Sequence, residues 1–166
     1  MLVIGIDPGT ASTGYGVVRQ TQEGELDAVD FGVISTTPDE PMPQRLQKIF
    51  VELQELLAKH QPESGAVEKL FFQRNVKTAI SVGQARGVVL LTLAEAGIPV
   101  DEYAPMEIKQ AIIGYGGADK QQVQDMVKAL LGMAERPHPD DAADALAVAI
   151  CHLHSSATRR RMEEIR

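Results

Sequence analysis

Tryptophan is absent from this 166-residue sequence, and aromatic residues make up only 4% of it. A folded core must therefore be mainly aliphatic. Hydrophobic residues amount to 44%, which argues against a disordered chain. No uninterrupted apolar run reaches the roughly 18 residues of a membrane span, and the first residues lack the basic start and cleavage site of a signal peptide. The length suggests one domain without a membrane-embedded part.

Cysteine is represented by Cys151 alone. A single cysteine excludes an internal disulfide framework. It also fits the reducing cytoplasm, where we expect the protein to act.

Positive charge is scarce overall, since the formal net charge is −7. Taken alone, this argues against a nucleic-acid partner. The charges are unevenly distributed, however: residues 21–63 carry nine acids and three bases, whereas residues 69–86 carry four bases and no acid. Binding depends on the local field, so the basic segment is a candidate nucleic-acid contact. A solvated basic surface explains a stretch this short equally well.

Hydrophobic patterning predicts three early strands and then alternating helices and strands. The short connections between the first three strands favour an antiparallel meander. The predicted strands are Leu2–Asp7, Gly14–Arg19, Leu26–Ile34, Gly65–Glu68 and Val100–Tyr103. The predicted helices are Pro43–His60, Val76–Ala96, Met106–Ile113, Lys120–Leu131 and Asp140–His154. This order predicts an α/β fold with a mixed sheet, antiparallel at first and then parallel, flanked by helices.

Four carboxylates stand where such a fold places functional sites. Asp7 and Glu68 each end a predicted strand, and sites in open α/β sheets gather beyond the carboxyl ends of strands. Asp141 and Asp144 are three residues apart, so they share one face of the last helix in its first turn. We therefore expect these four acids to converge.

A cluster of carboxylates requires a cation, because the acids otherwise repel and raise one another's pKa. Oxygen ligands without Cys or His suit Mg²⁺ or Mn²⁺. Two such ions about 4 Å apart can activate a water and stabilise the leaving oxygen of a phosphodiester. The glycines after Asp7 would let a phosphate backbone approach closely.

Each acid also has an ordinary structural interpretation. Asp7 can begin an Asp-Pro turn, and Glu68 can be a surface acid. Asp141 and Asp144 can complement the helix dipole. Asp140 is best interpreted as the N-cap of the last helix.

The motifs GIDPGT, TGYGVV, AVEKLFF, GQARGV, MEIKQAIIG, ADKQQVQDMV and DDAADALAVAI occur in this order from about Leu2 to His154. Together they resemble the RuvC family of Holliday-junction resolvases. The resemblance implies an RNase H-like fold, a homodimer and cooperation with a RuvA–RuvB branch-migration complex. It also implies paired symmetric nicks in four-way junction DNA during homologous recombination and DNA repair, with 5′-phosphate and 3′-hydroxyl ends.

The resemblance also assigns residues. The family's catalytic and metal-binding tetrad falls on Asp7, Glu68, Asp141 and Asp144, with two Mg²⁺ expected and Mn²⁺ able to substitute. The conserved basic positions fall on Lys109 and Lys120, as catalytic and DNA-binding residues. Phe71 matches the ring that stacks on junction bases, although the adjacent Phe72 leaves open which of the two does so. Basic and aromatic side chains are interleaved from Lys69 to Arg74, as expected of a segment that binds single-stranded or opened-junction DNA. The further expected DNA contacts are Lys69, Arg74, Asn75 and Lys77.

We expect residues 1–154 to form one RNase H-like nuclease domain and residues 155–166 a basic, partly disordered tail. Two other functions fit parts of the sequence. A non-catalytic junction-binding module would need only the basic segment. A phosphotransferase with an actin-like fold would use Asp-x-Gly-Thr as a phosphate loop, but 166 residues leave little room for a second lobe and no second Asp-x-Gly-Gly loop is present.

Overall fold

The computed structural model describes residues 1–69 and 76–164, except for the side chains of Lys77 and residues 157–164. Five strands form one sheet in the order β3-β2-β1-β4-β5. Strand β1 pairs antiparallel with β2 and parallel with β4, so the predicted mixed sheet is confirmed. The strands are β1 (Leu2–Asp7), β2 (Ser12–Gln20), β3 (Leu26–Ser35), β4 (Ser64–Glu68) and β5 (Val100–Tyr103).

Five helices flank this sheet. They are α1 (Met42–His60), α2 (Val76–Glu95), α3 (Pro105–Ile113), α4 (Lys120–Leu130) and α5 (Asp140–Glu164). Helix α5 lies across one face of the sheet with α3 and α4 packed against it, while α1 and α2 cover the other face. None of the described helices combines the length and hydropathy that crossing a membrane requires.

Two predictions about α5 were wrong. The helix was expected to end at His154, but it continues to Glu164 through most of the segment predicted as a partly disordered tail. Asp140 was interpreted as the N-cap, but it is the first helical residue. The amides of Ala142 and Ala143 donate to the carbonyl oxygen of Pro139, one residue earlier. The carboxylate of Asp140 is thereby available to other partners.

The side chains of the central strand β1 alternate between two apolar clusters. Val3 packs on the α5 side, whereas Ile4 and Ile6 pack on the side of α1 and α2. All three are fully buried. The clusters are mainly aliphatic, as the composition predicts. Because β1 is held on both faces and by strands on both edges, its carboxyl end is a rigid place for a functional side chain.

Glycines let α5 lie unusually close to β1 and β2. A Cβ at Gly5 would come within 2.5 Å of the amide nitrogen of Ala149, and one at Gly16 within 2.8 Å of that of Leu146. A Cβ at Gly14 would overlap the carbonyl oxygen of Asp141. The prediction that glycines after Asp7 serve the approach of a phosphate backbone was therefore wrong for Gly14 and Gly16, which contact the helix instead.

Candidate active site

Three of the four predicted acids lie together at the carboxyl end of β1. Carboxylate oxygens of Asp7, Asp141 and Asp144 all lie within 4.8 Å of one another. Asp7 is paired with Gly14 in the sheet, and Gly14 contacts the backbone of Asp141. Because Gly14 has no side chain, the first turn of α5 lies directly over the end of β1.

Glu68 joins this group through Asp7. Strand β4 runs parallel to β1 with Val67 opposite Ile6, which places the next residues, Glu68 and Asp7, side by side. Their two carboxyl groups hydrogen-bond each other. Burial raises the pKa of Asp7 to about 9, and the negative charge of Glu68 adds to the effect. The pKa of Glu68 is also raised, chiefly by burial. A proton is therefore retained between the two groups at neutral pH.

Asp144 completes the electrostatic arrangement. Burial raises its pKa, while the ammonium group of Lys120 opposes that rise. Buried acids with raised pKa values carry an electrostatic cost that a divalent cation would remove. The donors are all carboxylate oxygens, which suit a hard cation of the Mg²⁺ type. The residues present therefore fit a metal centre.

Both predicted lysines lie at this group of acids. The Nζ atom of Lys120 is 3.2 Å from Oδ2 of Asp144 and 3.3 Å from Oδ2 of Asp140. Burial raises the pKa of Glu68, and the positive charge of Lys109, on α3, opposes part of that rise. Two cationic side chains therefore face the acids from α3 and α4.

The other predicted DNA contacts belong to the segment after β4. Lys69 is exposed, and its backbone amide donates to the carbonyl oxygen of Tyr103 at 2.8 Å. The side chain of Lys77, near the start of α2, lies outside the described part of the chain. Four more predicted contacts lie outside it entirely: Phe71, Phe72, Arg74 and Asn75.

Sequence reasoning missed the threonines that hold the loop after Asp7. The buried Thr10 donates its hydroxyl hydrogen to the carbonyl oxygen of Ser81 in α2, at 2.7 Å. Thr36, directly after β3, donates in turn to the carbonyl oxygen of Thr10 at 2.6 Å. The sequence signal was a threonine directly after Asp-Pro-Gly, because a hydroxyl side chain at a turn can hydrogen-bond to backbone groups.

His152 was also missed. It is buried in α5, with Nε2 2.9 Å from the Ser64 hydroxyl and Nδ1 2.9 Å from the Tyr103 hydroxyl. These contacts join the helix that carries Asp141 and Asp144 to β4, which carries Glu68, and to β5. The signal was a histidine within the apolar run AVAICHLH of a helix, since a buried imidazole needs polar partners.

Comparisons with known proteins agree with this geometry. Residues 3–152 match the family model described as crossover junction endodeoxyribonuclease RuvC. A crossover junction endodeoxyribonuclease RuvC from Syntrophomonas wolfei is 57% identical over 93% of this chain and 90% of its own length. One from a Roseiflexus species is 55% identical over 97% of this chain and 95% of its own.

Solved structures give the same result. The Thermus thermophilus RuvC structure superposes with a TM-score of 0.90 and 41% identity, covering 95% of this chain and 96% of that one. A structure of T. thermophilus RuvC in complex with a Holliday junction substrate gives a TM-score of 0.88 and 39% identity, over 95% and 96%. With its RNase H-like sheet and its converging carboxylates, the chain belongs to the RuvC family of crossover junction endodeoxyribonucleases.

Proposed function

We propose that this chain resolves four-way DNA junctions during homologous recombination and DNA repair. It would hydrolyse one phosphodiester on each of two symmetrically placed strands and leave 5′-phosphate and 3′-hydroxyl ends. Family membership and the junction complex of the T. thermophilus relative support this substrate. The observation that carries the proposal is the convergence of Asp7, Asp141 and Asp144 within 4.8 Å, beside a hydrogen-bonded Glu68.

The four acids would hold two Mg²⁺ ions per site, with Mn²⁺ able to substitute. When bound, such cations activate a water and stabilise the leaving oxygen of a phosphodiester. The raised pKa values of Asp7, Glu68 and Asp144 support this assignment, because a cation would offset the burial and repulsion that cause them.

The protein's own groups supply orientation and charge. Asp7 is held at the end of a strand buried on both faces, so its carboxyl group is fixed in position. At neutral pH this carboxyl retains its proton, given a pKa of about 9, and must release it when a cation binds. Lys109 and Lys120 would hold the phosphate and stabilise the negative charge that develops on it.

Junction DNA would approach along the segment that follows β4. Exposed Lys69 stands next to Glu68, so a phosphate held there would lie beside the acids. From the sequence, we propose that Phe71 or Phe72 stacks on opened bases and that Arg74, Asn75 and Lys77 contact the backbone.

A homodimer would place two such sites on opposite strands and match the two-fold symmetry of the junction. Exposed apolar side chains on α2 support an interface there: Val76 is 77%, Ile80 61% and Leu91 55% exposed. We further propose that residues 1–154 are one nuclease domain, that RuvA–RuvB is a partner, and that the protein acts in the cytoplasm.

A strand-cleavage assay on a synthetic mobile four-way junction tests the function. Wild type, Asp7→Asn and the control Asp39→Asn, an exposed acid outside the site, are compared in Mg²⁺, Mn²⁺ and EDTA. We expect symmetric nicks on the junction and none on plain duplex, lost in Asp7→Asn and in EDTA while junction binding remains. Binding without nicks under every metal and junction sequence would favour a non-catalytic junction-binding module.

A further inference from the structure

Asp140 lies beside the acid cluster without belonging to it. Its side chain is 61% exposed, and it is not among the three acids whose oxygens converge. It stands directly before Asp141 in the first turn of α5. A surface acid at a helix start ordinarily complements the dipole, but the partners of this carboxylate are specific.

Each oxygen of Asp140 has its own partner on α4. The side-chain amide of Gln124, which is buried, donates to Oδ1 at 3.1 Å. The Nζ atom of Lys120 is 3.3 Å from Oδ2. Gln124 therefore fixes the orientation of the carboxylate from inside the protein, and the second oxygen points to Lys120.

Lys120 needs such an anchor. Its side chain is 51% exposed and flexible, and it is shared between Asp140 and Asp144. A cation held by Asp144 would weaken the attraction between Asp144 and Lys120, since the carboxylate charge would then be largely neutralised. Asp140, outside the converging acids, would keep its full charge. It is the partner that can hold Lys120 in place in the loaded site.

We propose that Asp140, oriented by Gln124, is a positioning residue that holds Lys120 at the scissile phosphate. This inference rests on the proposed junction cleavage and on the role of Lys120 in it. It assigns Asp140 an effect on the rate of cleavage and none on cation binding.

The charge of Asp140 makes the test selective. As an acid near the DNA path it should weaken junction binding, so Asp140→Asn should leave the Kd unchanged or tighten it about twofold. Loss of positioning should nevertheless slow single-turnover cleavage by about threefold to tenfold. Asp140→Glu should restore part of the rate. A merely structural role would not give equal or tighter binding together with slower cleavage.

The experiment is a double-mutant cycle on the full chain, with single-turnover cleavage, junction Kd and Tm measured for each protein. The variants are Asp140→Asn, Lys120→Gln, the double variant and the control Glu135→Gln, an exposed acid in the loop before α5. We expect Asp140→Asn to slow cleavage in the wild-type background and to have no further effect with Lys120→Gln.

Gln124→Met serves as a second variant, and it should slow cleavage in the same direction as Asp140→Asn. Unchanged cleavage in Asp140→Asn, or equal slowing with and without Lys120, would overturn the inference. Failure of the wild type to cleave any junction would instead overturn the proposed function itself.

Discussion

Gly14 of β2 lies against the backbone of Asp141 so closely that a Cβ at position 14 would overlap the carbonyl oxygen of Asp141. Gly14 is also the sheet partner of Asp7. One glycine thus sets the distance between a strand that carries one acid and a helix that carries two others.

Gly14→Ala should therefore damage both stability and cleavage. The added methyl must push α5 away from β2, at a cost of about 1–3 kcal/mol in unfolding free energy. The same displacement separates Asp141 from Asp7, so cleavage should fall at least about tenfold. Urea unfolding and junction cleavage measure the two effects. Gly117→Ala is the control, because its Cβ would make only ordinary contact, 3.7 Å from the Tyr115 ring; equal behaviour of the two variants would contradict the packing argument.

Asp7→Asn should stabilise the metal-free protein. The pKa of Asp7 is about 9 in the folded state against an ordinary 3.8, so the folded protein keeps a proton that the unfolded chain has lost. Unfolding free energy of the wild type in EDTA should then fall as pH rises from about 5 to about 9. Asparagine removes this dependence and should gain about 1–3 kcal/mol near pH 8.

Urea unfolding of both proteins across this pH range, in EDTA, measures the difference. The gain should be small near pH 5 and grow with pH. A constant difference between wild type and Asp7→Asn at every pH would show that Asp7 ionises normally in the folded protein.

Replacing Mg²⁺ by Ca²⁺ should separate binding from cleavage. Both cations neutralise the acids, so junction binding should persist. Ca²⁺ is larger and takes more ligands in a looser geometry, so it should support little or no hydrolysis. Fluorescence binding and gel-based cleavage on one junction measure the two steps. Comparable cleavage in Ca²⁺ and Mg²⁺ would count against the proposed two-ion site.

Thr10→Val should loosen the loop that follows Asp7. The substitution keeps the shape of the side chain but removes the donor to the carbonyl oxygen of Ser81, which should cost about 1 kcal/mol. Because this loop begins directly after Asp7, we also expect slower cleavage with an unchanged junction Kd. Thr10→Ser retains the hydroxyl and should behave like wild type. Slower cleavage in Thr10→Ser would assign the effect to the lost methyl group.

The sheet could be predicted because its strands are short apolar runs separated by clear turn signals. Strand β5 was predicted at its observed bounds, Val100–Tyr103. The end of α5 was misplaced because the apolar pattern stops near His154, whereas the helix continues through a polar sequence to Glu164. Hydrophobic periodicity predicts the part of a helix that is buried against the core. It gives no signal where the helix extends beyond the core.

The acids that converge could be named from the sequence because each lies at the end of a strand or near the start of a helix. The protonation of these acids could not be predicted from the sequence, since the pKa of Asp7 depends on burial and on the side-by-side placement of Glu68. The Asp140–Lys120 and His152–Ser64 contacts join residues far apart in the chain. The identity of the partners in such pairs follows from tertiary packing and leaves no local pattern.

The acids of this site come from distant parts of the sequence: Asp7 lies in the first strand, Glu68 in the fourth, and Asp141 and Asp144 at the start of the last helix. During synthesis, a nascent chain on the ribosome therefore carries Asp7 and Glu68 long before the residues that complete the cluster. The geometry of a nuclease arises only after α5 has been made and has docked on the glycines of β1 and β2. A fragment that lacks α5 would lack two of the four acids, and we expect it to cut no DNA.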